Sequence, residues 1–186
     1  MAIDLFAYPC GKLDGNCNKS GSHPCKEARS DAGFGICDDP PPSTTPAYID
    51  ISNPGSWVAT VQNPDNIDIT FKAIDKCVEL MRPDGSDEFR CDCALITSRS
   101  LVFIELKDRH SGGWLSHAMK QLETTINIHR ANPGIVTSPV LKAYACNKQR
   151  PSLQVQVKSQ AQDFFTTTGV VLKVESVISI SRANDG

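Results

Sequence analysis

A mixed α/β fold, with one central sheet flanked by helices, is what this sequence predicts, and three observations predict it. Short β-branched and aromatic runs recur from Trp57 onward. Longer stretches between them carry apolar residues at helical spacing, and clusters of Pro, Gly and Asn separate the runs. At 186 residues the chain is long enough for one core. Its 40% apolar and 22% charged content is that of a folded domain rather than a disordered segment. No run approaches the roughly 20 apolar residues of a membrane span. Met1–Cys10 lacks the basic and apolar regions of a signal peptide, so the expectation is a cytoplasmic protein.

Residues 1–42 differ from the rest. They are rich in Gly, Asp, Asn and Lys, show no helical or strand period, and hold Cys10, Cys17, Cys25 and Cys37. The expectation is an irregular arm, draped over the main domain or stapled. Four thiolates suffice for a structural zinc, although intervals of six, seven and eleven residues do not make the usual knuckle. Two disulfides, or free thiols, are the alternatives. Asp38–Pro46, centred on Pro40-Pro41-Pro42, reads as a stiff linker. The domain boundary therefore falls between an arm at 1–46 and a main domain at 47–186.

Trp57–Gln62 reads as a strand. Asn63 and Pro64 suit the N-cap and first position of a helix, and Ile67, Phe71, Ile74, Val78 and Met81 form its apolar stripe. That helix should stop before Pro83, with Asp75 and Glu79 flanking its buried side. A second helix is expected from Trp114 to Arg130, with Leu115, Ala118, Leu122, Ile126 and His129 inward and Gln121 near the edge. Asn132-Pro133-Gly134 ends it. A strand at Val140–Ala145, a third helix at about Gln154–Thr168 and a last strand at Val170–Ile180 complete an order of β-α-β-β-α-β-α-β.

The chemistry gathers between the first two helices. Cys91–Ile96 and Leu101–Lys107 read as a hairpin turning at Ser98-Arg99. That register sets Thr97 opposite Ser100 and Asp92 opposite Glu105, with Cβ atoms about 4.5–5.5 Å apart. Lys107 returns to the same face two residues on. Cys91 and Cys93 should point to the other face as buried thiols. Opposed carboxylates repel, so the pair calls for a cation, and hard oxygen donors suit Mg²⁺ or Mn²⁺.

Asp92, then Glu105-Leu106-Lys107, resembles the D-(x)n-E-x-K signature of the PD-(D/E)XK nuclease superfamily, with its restriction-endonuclease-like fold. Cys91 stands where the strict motif has proline. The resemblance implies a mixed sheet between helices and phosphodiester hydrolysis. It implies one or two Mg²⁺ held by Asp92, Glu105 and the Leu106 carbonyl, with Asp75, or else Glu79, adding an acid from the first helix. Lys107 would orient or deprotonate the attacking water, and Gln121 would stand near the scissile phosphate.

Leu106–Lys158 carries eight Lys/Arg against Asp108 and Glu123, although the whole chain is at −2. A basic half beside an acidic site suits a nucleic-acid backbone, with Arg109, Lys120, Lys148 and Arg150 as contacts. DNA is expected ahead of RNA. No helix-turn-helix, zinc-finger spacing or RNP-like segment reads sequence, so a shape-specific substrate, a partner subunit or another means of control is expected; the resemblance implies, as the leading context, a bacterial antiviral defence system with a separate sensor subunit. Two other readings stand: an inactive nuclease-fold binding or structural subunit, and a secreted nuclease toxin, which N-terminal disulfides would favour.

Overall fold

The computed structural model describes residues 5–6, 24–110, 112–132, 140–149 and 157–183. In chain order the elements are β1 (Lys26–Arg29), β2 (Gly33–Cys37), β3 (Tyr48–Asp50), β4 (Ala59–Gln62), β5 (Ile69–Ala73), β6 (Cys93–Ile96) and β7 (Ser100–Lys107). Then come α1 (Trp114–Ala131), β8 (Val140–Asn147), α2 (Val157–Thr168), β9 (Val171–Lys173) and β10 (Val177–Ser179). Two sheets result. A six-stranded sheet has the order β1-β5-β6-β7-β8-β9, and a four-stranded sheet the order β10-β4-β2-β3. β5, β6 and β7 form an antiparallel meander, while β8 and β9 run parallel to β7 after the α1 and α2 crossovers.

β7 explains the layering. Val102, Ile104 and Leu106 pack with Phe34, Ile36 and Val61 of the smaller sheet. Leu101 and Phe103, on its other face, pack with Leu115, Leu122 and Ile126 of α1. A strand covered on both faces reads as a continuous apolar run rather than an alternating one. Each such side chain, fully buried, contributes roughly 1.5–3 kcal/mol. That is enough to offset the polar groups that the helix-side face acquires at Glu105 and Lys107.

The hairpin register is as expected. Cys93 pairs with Ile104 and Ile96 with Leu101. The Thr97 hydroxyl closes the turn by accepting from the N–H groups of Arg99 and Ser100. α1 also forms as expected, and β8 runs two residues beyond its predicted end.

Elsewhere the structure corrects the expectations. No helix follows Asn63. The Asn63 side chain instead clamps a turn, donating to Asp31 O and Ile67 O and accepting from Ile67 N. Ile69, Phe71 and Ala73 then alternate inward as β5, paired on both edges by β1 and β6. Met81, expected inside, is exposed. Two flanking strands outweigh the local spacing of four and three. The segment expected to be irregular supplies β1 and β2, one to each sheet, while Leu5 and Phe6 enter the helix-side core. The expected last strand is two strands, β9 and β10, in different sheets. Cys93 faces the smaller sheet but Cys91 faces the helices, because the pleat begins only at Cys93. Both are buried free thiols.

The cysteines of the segment do not form the zinc set. Cys25 is disulfide-bonded to Cys77, and Cys37 is a buried thiol 3.4 Å from the Ser56 hydroxyl. Cys10 and Cys17 lie outside the described residues.

Candidate active site

The main chain at Asp92 is pinned from three sides. Ile74 N and Asp75 N donate to its carbonyl at 2.8 and 3.2 Å. Just before it, Cys91 N donates to the Thr125 hydroxyl at 2.7 Å, and Gln121 Nε2 donates to Arg90 O at 3.0 Å, both from α1. Its carboxylate reaches across the hairpin, where Oδ2 accepts from Leu106 N at 2.6 Å. The β6–β7 pairing begins at Cys93 with Ile104, so Asp92 and Glu105 each lie one residue beyond that first pair. Lys107 Nζ ion-pairs with Glu105 Oε1 and donates to Gln121 Oε1 at 3.0 Å. Asp92, Glu105 and Lys107, which the hairpin spacing sets on one face, therefore lie together, and Gln121 joins them from α1.

These groups perturb one another strongly. Glu105 is 0% exposed, and burial followed by the charge of Asp92 pushes its carboxyl well above the usual range. Burial, then the neighbouring Asp38, lifts Asp92 to about 7. Burial works against the Lys107 ammonium, but the carboxylates of Glu105 and Asp92 more than compensate and its pKa rises. Glu105 Oε2 is buried and has no hydrogen-bond partner among the described residues. A buried acceptor left in that state normally costs about 1–3 kcal/mol.

Asp92, Leu106, Lys107 and Gln121 border a cavity of ≈ 240 Å³. Asp75 lines it too, from the turn after β5 rather than from a helix, and is ion-paired with Arg90 at 2.8 Å. Glu79 does not reach it; it is exposed and borders a neighbouring groove with Met81 and Arg90. Of the expected nucleic-acid contacts, Arg109 lines the cavity and Lys120 is exposed on α1. Lys148 is tied to Gly55 O, and Arg150 lies outside the described residues.

Several contributors carry no sequence signal. Asp38, Asp39, Pro40 and Pro41, read as linker, form a wall of the cavity. Asn147, 1% exposed at the end of β8, donates to Arg109 O and accepts from Arg109 N and Gln149 N, fixing the exit of β7. Thr125 sits on the buried stripe of α1, and no local pattern marks it as the residue that holds Cys91.

Among the described residues no group of three or more His, Cys, Asp or Glu side chains is arranged to hold a metal ion. Mg²⁺ does not require one, since it is commonly held by one or two carboxylates and keeps several waters. Asp92 and the unpartnered Glu105 Oε2 fit that kind of seat.

Fold and site together define a two-sheet mixed α/β protein with a buried carboxylate–lysine centre opening on a small polar cavity. Compared with known proteins, the chain matches no family model, no curated protein and no solved structure.

Proposed function

We propose that this chain is a metal-dependent nuclease of the PD-(D/E)XK type that hydrolyses phosphodiester bonds, with DNA the favoured substrate. One observation carries the reading: Asp92, Glu105, Lys107 and Gln121 lie together beside a cavity, and Glu105 Oε2 is buried without a hydrogen-bond partner among the described residues. Isolated structural ion pairs seldom leave a buried carboxylate oxygen unmet. The run β6-β7-α1-β8 keeps the β-β-α-β part of the α-β-β-α-β core that the resemblance implies, while the helix expected before it is absent.

Asp92, Glu105 and the Leu106 carbonyl would hold Mg²⁺ or Mn²⁺. A cation bound there acidifies water and neutralises charge growing on phosphate oxygens. The Lys107 ammonium, steadied by Gln121, is placed to orient the attacking water and to stabilise the same charge. Arg109, exposed at the rim, would receive the phosphate of an entering strand. With no sequence-reading element evident, control falls to a partner, for which a sensor subunit in bacterial antiviral defence is the proposed context.

A second setting draws on the Cys25–Cys77 disulfide. Disulfides persist in oxidising compartments, so the same chemistry fits a secreted nuclease toxin.

The test is a cleavage assay of the purified chain on double-stranded DNA, single-stranded DNA and RNA, with Mg²⁺ or Mn²⁺ and with chelator. Metal-dependent cleavage is expected, lowered about 100-fold or more by Lys107→Ala. No cleavage of any substrate would favour an inactive nuclease-fold subunit instead.

A further inference from the structure

The smaller sheet carries an aromatic side chain that the candidate chemistry does not use. Trp57 is half-buried, and its ring lies on Gly35 in the middle of β2. A Cβ placed on Gly35 would meet indole Cγ, Cδ2 and Cδ1 at 2.0, 2.1 and 2.2 Å. Nearly equal distances to three ring atoms put the glycine over the face of the ring, not its edge. The exposure left to Trp57 is therefore on the opposite face and the rim. The next strand fixes the direction of the ring: Asp50, paired with Gly35 across β2 and β3, accepts from Trp57 Nε1 through Oδ2 at 2.6 Å. That carboxylate is itself steadied by Asn53 N and the Ser52 hydroxyl, each at 2.8 Å. The indole is an oriented plate rather than a loose surface ring.

The plate adjoins the cavity. Val58, the next residue, lines the cavity wall, and Ser56, just before it, lies 3.4 Å from Cys37, the neighbour of Asp38 in the same wall. A cationic path joins the two places. Arg109 at the rim is held by the Asn147 side chain, and Lys148 follows Asn147. Lys148 Nζ donates to Gly55 O at 2.6 Å, in the turn Pro54–Ser56 that leads into Trp57. An ammonium has three donors, so this bond leaves two for another acceptor.

We propose that Trp57 and Lys148 form a subsite for single-stranded nucleic acid, the indole stacking one base and the Lys148 ammonium taking an adjoining phosphate, so that unpaired strands are preferred to duplex. The choice of nucleic acid as occupant rests on the reading of the cavity as a phosphodiester-cleaving site. Arg109 and Lys148 supply the charge that a phosphate backbone needs along the way from that cavity to the plate. In a duplex both faces of a base are taken by its neighbours in the stack, whereas an unpaired base has a face to offer an indole. A neutral sugar ring would also fit an aromatic plate but has no use for the two cations.

The experiment is titration of the full chain, in chelator so that no metal-dependent cleavage runs, with labelled oligothymidylate, an abasic strand and a duplex of the same length. A neutral oligosaccharide is titrated alongside. Binding is read by label anisotropy and by tryptophan fluorescence; the other tryptophan, Trp114, is buried in the helix-side core, so quenching reports Trp57. Oligothymidylate is expected to bind and quench, with the abasic strand and the duplex about tenfold weaker. Trp57→Leu, which keeps an apolar cover over Gly35, should weaken oligothymidylate about tenfold and leave the abasic strand unchanged. Trp57→Phe should retain most of the affinity, and Lys148→Met should weaken both strands. Duplex bound as tightly as single strand, no quenching, equal losses for both strands in Trp57→Leu, or tighter binding of the oligosaccharide each overturns the proposal. Cleavage with Mg²⁺ in spite of such a result leaves the nuclease reading standing. The expected binding pattern without cleavage of any substrate overturns that reading and leaves the strand-binding subsite.

Discussion

The two walls of the cavity are held by different means. Leu106, Lys107 and Gln121 stand on a wall made of ladders: β7 pairs with β6 on one side and along all eight of its residues with β8 on the other, under α1. Asp38–Pro41, Asp75 and Lys76 stand on a wall made of point contacts: the Cys25–Cys77 disulfide, Lys76 to Thr45 O, and Tyr48 Oη to Asp39 at 3.1 Å. Removing one hydrogen bond from a ladder leaves many others in place. Removing one tie from the second wall takes away a larger share of what holds it. The first wall is suited to carry chemistry that tolerates little displacement, and the second is where the site can be loosened without unfolding the core.

The largest expected effect bears on the first wall. In metal-free buffer the folded chain keeps a proton on Asp92 up to about pH 7, whereas an unfolded aspartate loses it near pH 4. The native state therefore binds more protons across that window, and stability should fall as pH rises through it, by on the order of a few kcal/mol. Denaturant titrations at several pH values check this. A rise over the same window would mean that the carboxylates are ordinary ion-paired groups.

The second wall should respond to Cys25→Ser/Cys77→Ser. Loss of the disulfide is expected to cost roughly 2–4 kcal/mol. Hydrogen exchange should then show added opening at 74–78 while the protection of β7 and β8 persists. Equal loosening of both walls would erase the distinction.

Asn147→Ala cuts the first wall at a point contact, where β7 ends. It removes the hydrogen bonds that the Asn147 side chain makes to Arg109 and Gln149 and should cost about 0.5–1.5 kcal/mol for each bond lost, with Lys107-dependent cleavage lowered alongside. A stability loss without any change in cleavage would show that Asn147 supports the fold but not the site.

Smallest is Glu105→Gln in metal-free buffer. Measured above about pH 7, where Asp92 has given up its proton, it removes a like-charge opposition and should leave stability unchanged or raise it by about 0.2–1 kcal/mol, while cation binding weakens. A loss on the order of 3–5 kcal/mol would instead mark Glu105 and Lys107 as a buried structural pair.

The same contrast governs what could be read from the residues. The first wall was legible because its signals are local. A four-residue turn sets the hairpin register, alternation puts Lys107 above Glu105, and an apolar stripe marks α1. The second wall depends on partners distant in sequence. Cys25 has no spacing to Cys77 that announces a bridge, and Asp38 lies among prolines that read as a spacer. The stretch after Asn63 misled for the same reason. Its helical spacing is real, but β1 and β6 lie against Ile69–Ala73, and pairing on both edges decides the outcome.

The parallel pairing of β10 with β4, Val177 beside Thr60, has a consequence for how the protein comes to be folded. During synthesis β4 can pair with β2 early, but its other edge stays open until the chain has passed through β5 to β9. Closing so long a loop is slow compared with forming the β6–β7 hairpin. Until then an apolar strand edge is offered to any neighbouring chain. Refolding yield should therefore depend steeply on protein concentration, with newly made chains most vulnerable to self-association just before β10 arrives.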